Sequence, residues 1–254
     1  MSDTADEIHL LNEAEALIEL AGRRGIVLRL FGGLAIRMLC SELPARTRVG
    51  QDLDFCSLSA TRRELTTMLD EQGYVPDKMF NALNGDKQLY FSHPETGLAI
   101  DVLIDKLHMC HTLRFAERLP RLQYTLDPMD LLLSKLQIVE LNEKDADDCL
   151  RLLVTFELED GDDAQIMDLR VFRDLVSDDW GWWRTVTLNL ERIRRLLDAG
   201  ERPALAGGRL DPRAQLARLE QVAEDAPKSR RWKMRAKIGE RKRWYDEPQE
   251  TPHD

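Results

Sequence analysis

Long apolar runs are missing from this chain of 254 residues. A bilayer-spanning helix needs roughly 18 or more consecutive apolar residues, and no stretch comes near that, so no membrane segment is expected. The start, MSDTADEIHL, is acidic and has no basic stretch followed by an apolar one, so no secretory leader is expected either. Cysteine is scarce. Cys40, Cys56, Cys110 and Cys149 are scattered without a CxxC pair, the pattern of reduced thiols in a cytoplasmic protein. His108, Cys110 and His111 stand close together in HMCH, but three ligands crowded in sequence do not complete a tetrahedral zinc site without a distant partner. No Ser-His-Asp or Cys-His arrangement, internal repeat or low-complexity stretch is present. Net positive charge is also lacking: the formal charge is −10, which argues against a general nucleic-acid binder.

The charge that is present is unevenly spread. The segment 228–245, KSRRWKMRAKIGERKRWY, holds nine Lys or Arg against one Glu, a net of +8, which leaves −18 for the rest of the chain. Arg230, Arg231, Trp232 and Lys233 in this tail have the composition of an RNA-backbone contact, with Trp232 and Trp244 available to stack on bases. A solvated basic helix explains the same residues without RNA.

Hydrophobic spacing predicts a helix over 4–22, a strand over 25–31 entering Gly32-Gly33, and a helix over 34–43 stopped by Pro44. A basic loop, ARTRVGQ, leads to a second strand, DLDFCSL. A helix follows over 60–73, then strands in KQLYFSH and LAIDVLID around a PETG turn. This alternation predicts an α/β or α+β sheet domain ending near residue 125. Beyond it, DPMDLLLSKLQIVEL and NEKDADDCLRLLVTF read as helices, each with a capping residue ahead of it, and helical spacing continues to about residue 225. Trp180, Trp182 and Trp183 are expected to pack between helices.

Two carboxylates interrupt the second strand. Strand side chains alternate, so Asp52 and Asp54 share one face while Leu53 and Phe55 take the other. Like charges on one face repel, so something positive should stand against them: a neighbouring arginine or a metal ion. Asp101 lies in another apolar strand, with Asp105 competing at the same parity. If the two strands are neighbours, three carboxylates converge, and divalent cations would relieve the repulsion. Mg²⁺ takes hard oxygen ligands of this kind, usually one or two carboxylates with substrate phosphates and water. Gly32-Gly33 fits phosphate, because glycine lets the backbone come close and a helix N-terminus draws anions. The plainer alternatives are solvated acids at a strand edge, and Asp101 paired with Arg46 or Arg48. Asp145 and Asp148 read as capping or surface charges, and Lys135 alone on its helix reads as a solvated cation.

Phe31-Gly32-Gly33, Asp52-Leu53-Asp54 and Ile100-Asp101-Val102 stand in an order that resembles the nucleotidyltransferase superfamily, the DNA polymerase β-like fold. The downstream DLLLSKLQIVELNEKDADD resembles the stand-alone bacterial AbiEii-type nucleotidyltransferase toxins, with Lys135, Lys144 and Asp145 at the matching positions. The resemblance spans about 26–155. It implies a small mixed-sheet catalytic domain over 1–125, with flanking helices, followed by a helical domain over 126–254, an α+β protein. It also implies transfer of a nucleoside monophosphate from an NTP to an acceptor hydroxyl with Mg²⁺ or Mn²⁺. In that scheme Asp52, Asp54 and Asp101 hold the metals, Asp101 is also the general base, Gly32 and Gly33 hold the triphosphate, and Arg48 and Lys135 meet phosphate charge. Gly50 stands where relatives carry a hydroxyl. The acceptor would be RNA such as tRNA, a protein or a small molecule. The rivals are a non-catalytic nucleotide- or RNA-binding protein that keeps the fold, and a toxin acting with an antitoxin partner.

Overall fold

The computed structural model describes residues 2–45, 52–200 and 202–248. Its chain divides into two compact units. The first comprises Met1–Ser41, Ala45–Leu107 and Arg114–Asp127; the second comprises Glu42–Pro44, His108–Leu113 and Pro128–Asp254. No helix among the described residues is long and apolar enough to cross a membrane.

The first unit runs α1 (Ser2–Arg23), β1 (Leu28–Leu30), α2 (Gly32–Leu39), β2 (Asp52–Ser57), α3 (Arg62–Glu71), β3 (Val75–Pro76), α4 (Lys78–Asn84), β4 (Gln88–Ser92) and β5 (Ala99–Ile104). Its five strands form one mixed sheet in the order β1-β2-β5-β4-β3, in which β2 and β5 are parallel and the other pairs antiparallel. Register sorts the side chains cleanly. Leu30 faces Phe55, Leu53 faces Ile100, Phe55 faces Val102, and Leu89 and Phe91 continue the row on β4. All are buried, which makes this the core face. The alternate residues on the other face are Asp52, Asp54, Asp101, Gln88 and Tyr90.

The buried stripes of α1 (Leu10, Ala14, Leu17, Ile18, Ala21) and α3 (Leu65, Met68, Leu69) add to this core, each large side chain contributing about 1.5–3 kcal/mol when fully buried. Tyr74 donates to Glu13 at 2.8 Å and Arg24 pairs with Glu71 at 2.6 Å, which ties the α3 end of the unit to α1.

Residues 106–114 form a short hairpin, β6 (Lys106–His108) with β7 (Thr112–Arg114). The second unit then carries α5 (Pro128–Leu136), α6 (Glu143–Thr155), a small parallel pair β8 (Glu157–Glu159) and β9 (Ile166–Asp168), α7 (Leu169–Asp178), α8 (Trp180–Asp198), α9 (Pro212–Asp225) and α10 (Arg230–Ile238). Side-chain caps start five of its helices: Asn142, Asp168, Asp179, Asp211 and Ser229 each accept from a free first-turn N–H. Trp180 and Trp182 are buried within the unit, as expected.

Several local expectations are corrected. Short α4 and β3 went unread, although Asp77 caps α4 by accepting from Phe80 and Gly85 follows its end. The β8–β9 pair also went unread, because three-residue strands flanked by acids carry no alternation to detect. Asp148 is not a surface charge. It is buried and lies 3.3 Å from the Lys135 ammonium, which also meets Asp145 at 2.7 Å. Lys135 is therefore not a solvated cation, since only 15% of its side chain is exposed.

Candidate active site

The site is built where three strands of the mixed sheet bring their outward side chains together. Asp54 on β2 is the direct register partner of Asp101 on β5, and Asp101 is in turn the partner of Tyr90 on β4. Parallel neighbours lie roughly 4.8 Å apart, so the two carboxylates stand side by side, and Asp52 follows two residues along the same face. Asp52 is exposed, while Asp54 and Asp101 are half-buried. The chain thus brings the three predicted acids onto one face of adjoining strands.

Asp105 does not join them. The strand ends at Ile104, and Asp105 turns away with a left-handed φ of 61°. Its carboxylate accepts from the Ser59 N–H at 3.0 Å.

Gly32 sits directly over Asp54. Its φ is +69°, and a Cβ placed there would lie 2.6 Å from the Asp54 Oδ2. The left-handed backbone favours glycine, and a side chain would also have to displace the Asp54 carboxylate. The Phe31 N–H donates to the Asp54 carbonyl at 2.7 Å, which pins the turn to β2. The helix was expected from residue 34, but both glycines lie inside the first turn of α2, so their N–H groups are among those a helix leaves unsatisfied.

Two site residues escaped the sequence argument. The Gln88 side-chain amide donates to the Asp101 Oδ2 at 2.5 Å. Burial, then the negative charges of Asp52, Asp101 and Asp77, push the Tyr90 phenol above its ordinary range. Strand parity in KQLYFSH, where Gln88 and Tyr90 alternate with buried Leu89 and Phe91, was the signal available.

Among the described residues, no three His, Cys, Asp or Glu side chains converge into a ready metal cage. Zinc favours nitrogen and sulfur ligands, whereas Mg²⁺ and Mn²⁺ take a few carboxylate oxygens with phosphate and water. The donor set of the acid face is all oxygen, so the residues present fit such an ion. His111 takes a different part. Its Nε2 lies 2.8 Å from the Thr185 hydroxyl, its ring lies against Trp182, and burial lowers its pKa to about 4.

Arg46, Arg48 and Gly50 lie outside the described residues. Lys135 is on α5 in the second unit, held by Asp145 and Asp148. In the tail, Arg230 and Lys233 are exposed. Arg231 pairs with Asp178 and Asp179 at 3.4 and 3.5 Å. The half-buried Trp232 ring meets Trp183 edge-on at 5.2 Å, with the Lys228 ammonium 5.5 Å from its centre. Trp244 donates to Thr185 at 3.0 Å and meets Trp180 edge-on. Both tail tryptophans are thus engaged within the second unit.

No protein-family model matches the chain, and no curated protein matches it in sequence. Among solved structures it is similar to the lincosamide antibiotic adenylyltransferase LnuA in its lincomycin-bound crystal structure, at 16% identity over 54% of this chain and 92% of that one, with a TM-score of 0.39. It is similar to the antibiotic-resistance factor ANT(2'')-Ia at 12% identity over 78% and 97%, TM-score 0.41. It is also similar to an antigenic nucleotidyltransferase-like protein from Paracoccidioides brasiliensis, at 10% identity over 87% and 94%, TM-score 0.43. The likeness is loose in all three cases.

Proposed function

We propose that this chain is a metal-dependent nucleotidyltransferase that moves a nucleoside monophosphate from an NTP to an acceptor hydroxyl. One observation carries the reading: Asp54 and Asp101 are direct partners across a parallel strand pair, with the Gly32 turn pressed against Asp54. Three acids on one sheet face are costly without cations, and a glycine turn opening a helix beside them suits a polyphosphate.

In this reading Asp52, Asp54 and Asp101 hold the divalent ions, which when bound neutralise charge on the triphosphate. Gly32 and Gly33 present first-turn N–H groups to that triphosphate, and Arg48 adds positive charge to it. Asp101 accepts the proton of the acceptor hydroxyl. The hydroxyl oxygen then bonds to the α-phosphorus as the bond to pyrophosphate breaks. RNA, protein and small molecules all remain acceptors to be tried, and exposed Arg230 and Lys233 keep RNA among them. A toxin role with an antitoxin partner belongs to the same reading.

The test is incubation with each α-labelled NTP, Mg²⁺ or Mn²⁺, and total cell RNA or protein. Label should transfer from one NTP, and Asp52→Ala or Asp54→Ala should lower the rate at least about 100-fold with the melting temperature kept. Wild-type rates in both variants would sink the reading. NTP binding without transfer to any acceptor would favour the binding-protein alternative.

A further inference from the structure

Asp101 needs more than its strand to be useful. A carboxylate on a short stem, beside two like charges, lowers its energy by rotating away from them. The Gln88 amide opposes that rotation, donating to the Asp101 Oδ2. Gln88 pairs in register with Leu103, so it reaches Asp101 along the diagonal of an antiparallel pair, a span of roughly 7–8 Å that suits a long side chain. The donor is neutral. An arginine or lysine here would hold the carboxylate as well, but it would cancel the charge that a divalent ion needs.

The strand carrying Gln88 is itself held in an unusual way. Edge strand β3 pairs only with Phe91 and Ser92. At Tyr90, where that ladder stops, the Asn81 side chain continues it. Its Oδ1 accepts from the Tyr90 N–H at 2.7 Å and its Nδ2 donates to the Tyr90 carbonyl at 3.0 Å. A side-chain amide thus stands in for a peptide of the missing strand, and the Asp77 N–H adds a second bond to the same carbonyl. Gln88 lies two residues away on the same strand face.

We propose that Gln88 is a positioning residue for Asp101, and that Asn81 holds β4 in the register Gln88 needs. The inference rests on the nucleotidyl-transfer reading and extends it to two residues that act through Asp101.

The experiment measures label transfer from the active α-labelled NTP to total cell RNA or protein with Mn²⁺, at saturating and limiting NTP. Gln88→Leu keeps a side chain of comparable bulk and removes the amide. The maximal rate should fall about 30- to 100-fold, the effect of a misplaced reacting group, with the half-saturating NTP concentration and the melting temperature nearly unchanged. Asn81→Leu should act in the same direction. The deciding measurement is a double-mutant cycle under single-turnover conditions. On an Asp101→Asn background, Gln88→Leu should cost almost nothing further, because the group it positions is gone. An equal loss on both backgrounds would make Gln88 merely structural and overturn the proposal. So would a wild-type rate in Gln88→Leu while Asp101→Asn is slowed, a result that leaves nucleotidyl transfer standing. No transfer by wild type from any NTP would overturn both.

Discussion

Gly32 concentrates more constraint than any other residue of the site. Its left-handed backbone and its contact with Asp54 are separate demands, and both disfavour a side chain. A φ of +69° costs an L-residue roughly 1–2 kcal/mol, and the 2.6 Å approach forces either the turn or the Asp54 carboxylate to move. Gly32→Ala should therefore lower stability by about 1–3 kcal/mol and cut nucleotide transfer by far more than that loss explains. Chemical denaturation together with the rate of label transfer separates the two effects. An alanine variant with wild-type transfer would mean that the turn does not face the phosphates.

At the scale of elements, the buried ion-pair cluster of α5 and α6 makes the sharpest prediction. Asp148 is almost fully buried, and Lys135 serves it and Asp145 together. Removing the cation alone takes the shared ammonium from two carboxylates, so Lys135→Met should destabilise the protein by about 3–5 kcal/mol. Adding Asp148→Leu should restore part of that. If Lys135→Met instead leaves the denaturation midpoint in place and weakens NTP binding, the lysine serves phosphate and not the helix pair.

These elements also mark what was legible. The sheet could be read because one face is apolar and the other is not: Leu53 and Phe55 against Asp52 and Asp54, Ile100 and Val102 against Asp101. Alternation of that kind survives in a single sequence. The α5–α6 cluster could not be read, because a lysine and two aspartates look the same whether they meet water or each other. Parity could place Gln88 on the outward face but not against Asp101, a diagonal neighbour that only register reveals. In the tail, composition could not show that Trp232 and Trp244, which look like stacking platforms, lie against Trp183 and Trp180 of the same unit.

For the molecule as a whole, acidity is a handicap to its proposed substrate. The chain carries −10 overall, and an NTP is itself a polyanion. Nucleotide and divalent cation should therefore bind as a pair. In thermal melts, Mg²⁺ with NTP should raise the midpoint more than the sum of the two separate shifts, gaining about 2.7 kcal/mol at a hundredfold excess over the dissociation constant. Additive shifts, or none, would count against the acid face as their site.

The parallel pairing of β2 with β5 has a consequence for the protein's birth. Parallel neighbours cannot be joined by a tight turn, and here α3, β3, α4 and β4 all lie between the two strands. A polypeptide still emerging from the ribosome presents Asp52 and Asp54 long before Asp101 has been made. If the three acids act as proposed, half a site spends no nucleotide, and nascent or truncated chains lacking Asp101 should show no transfer.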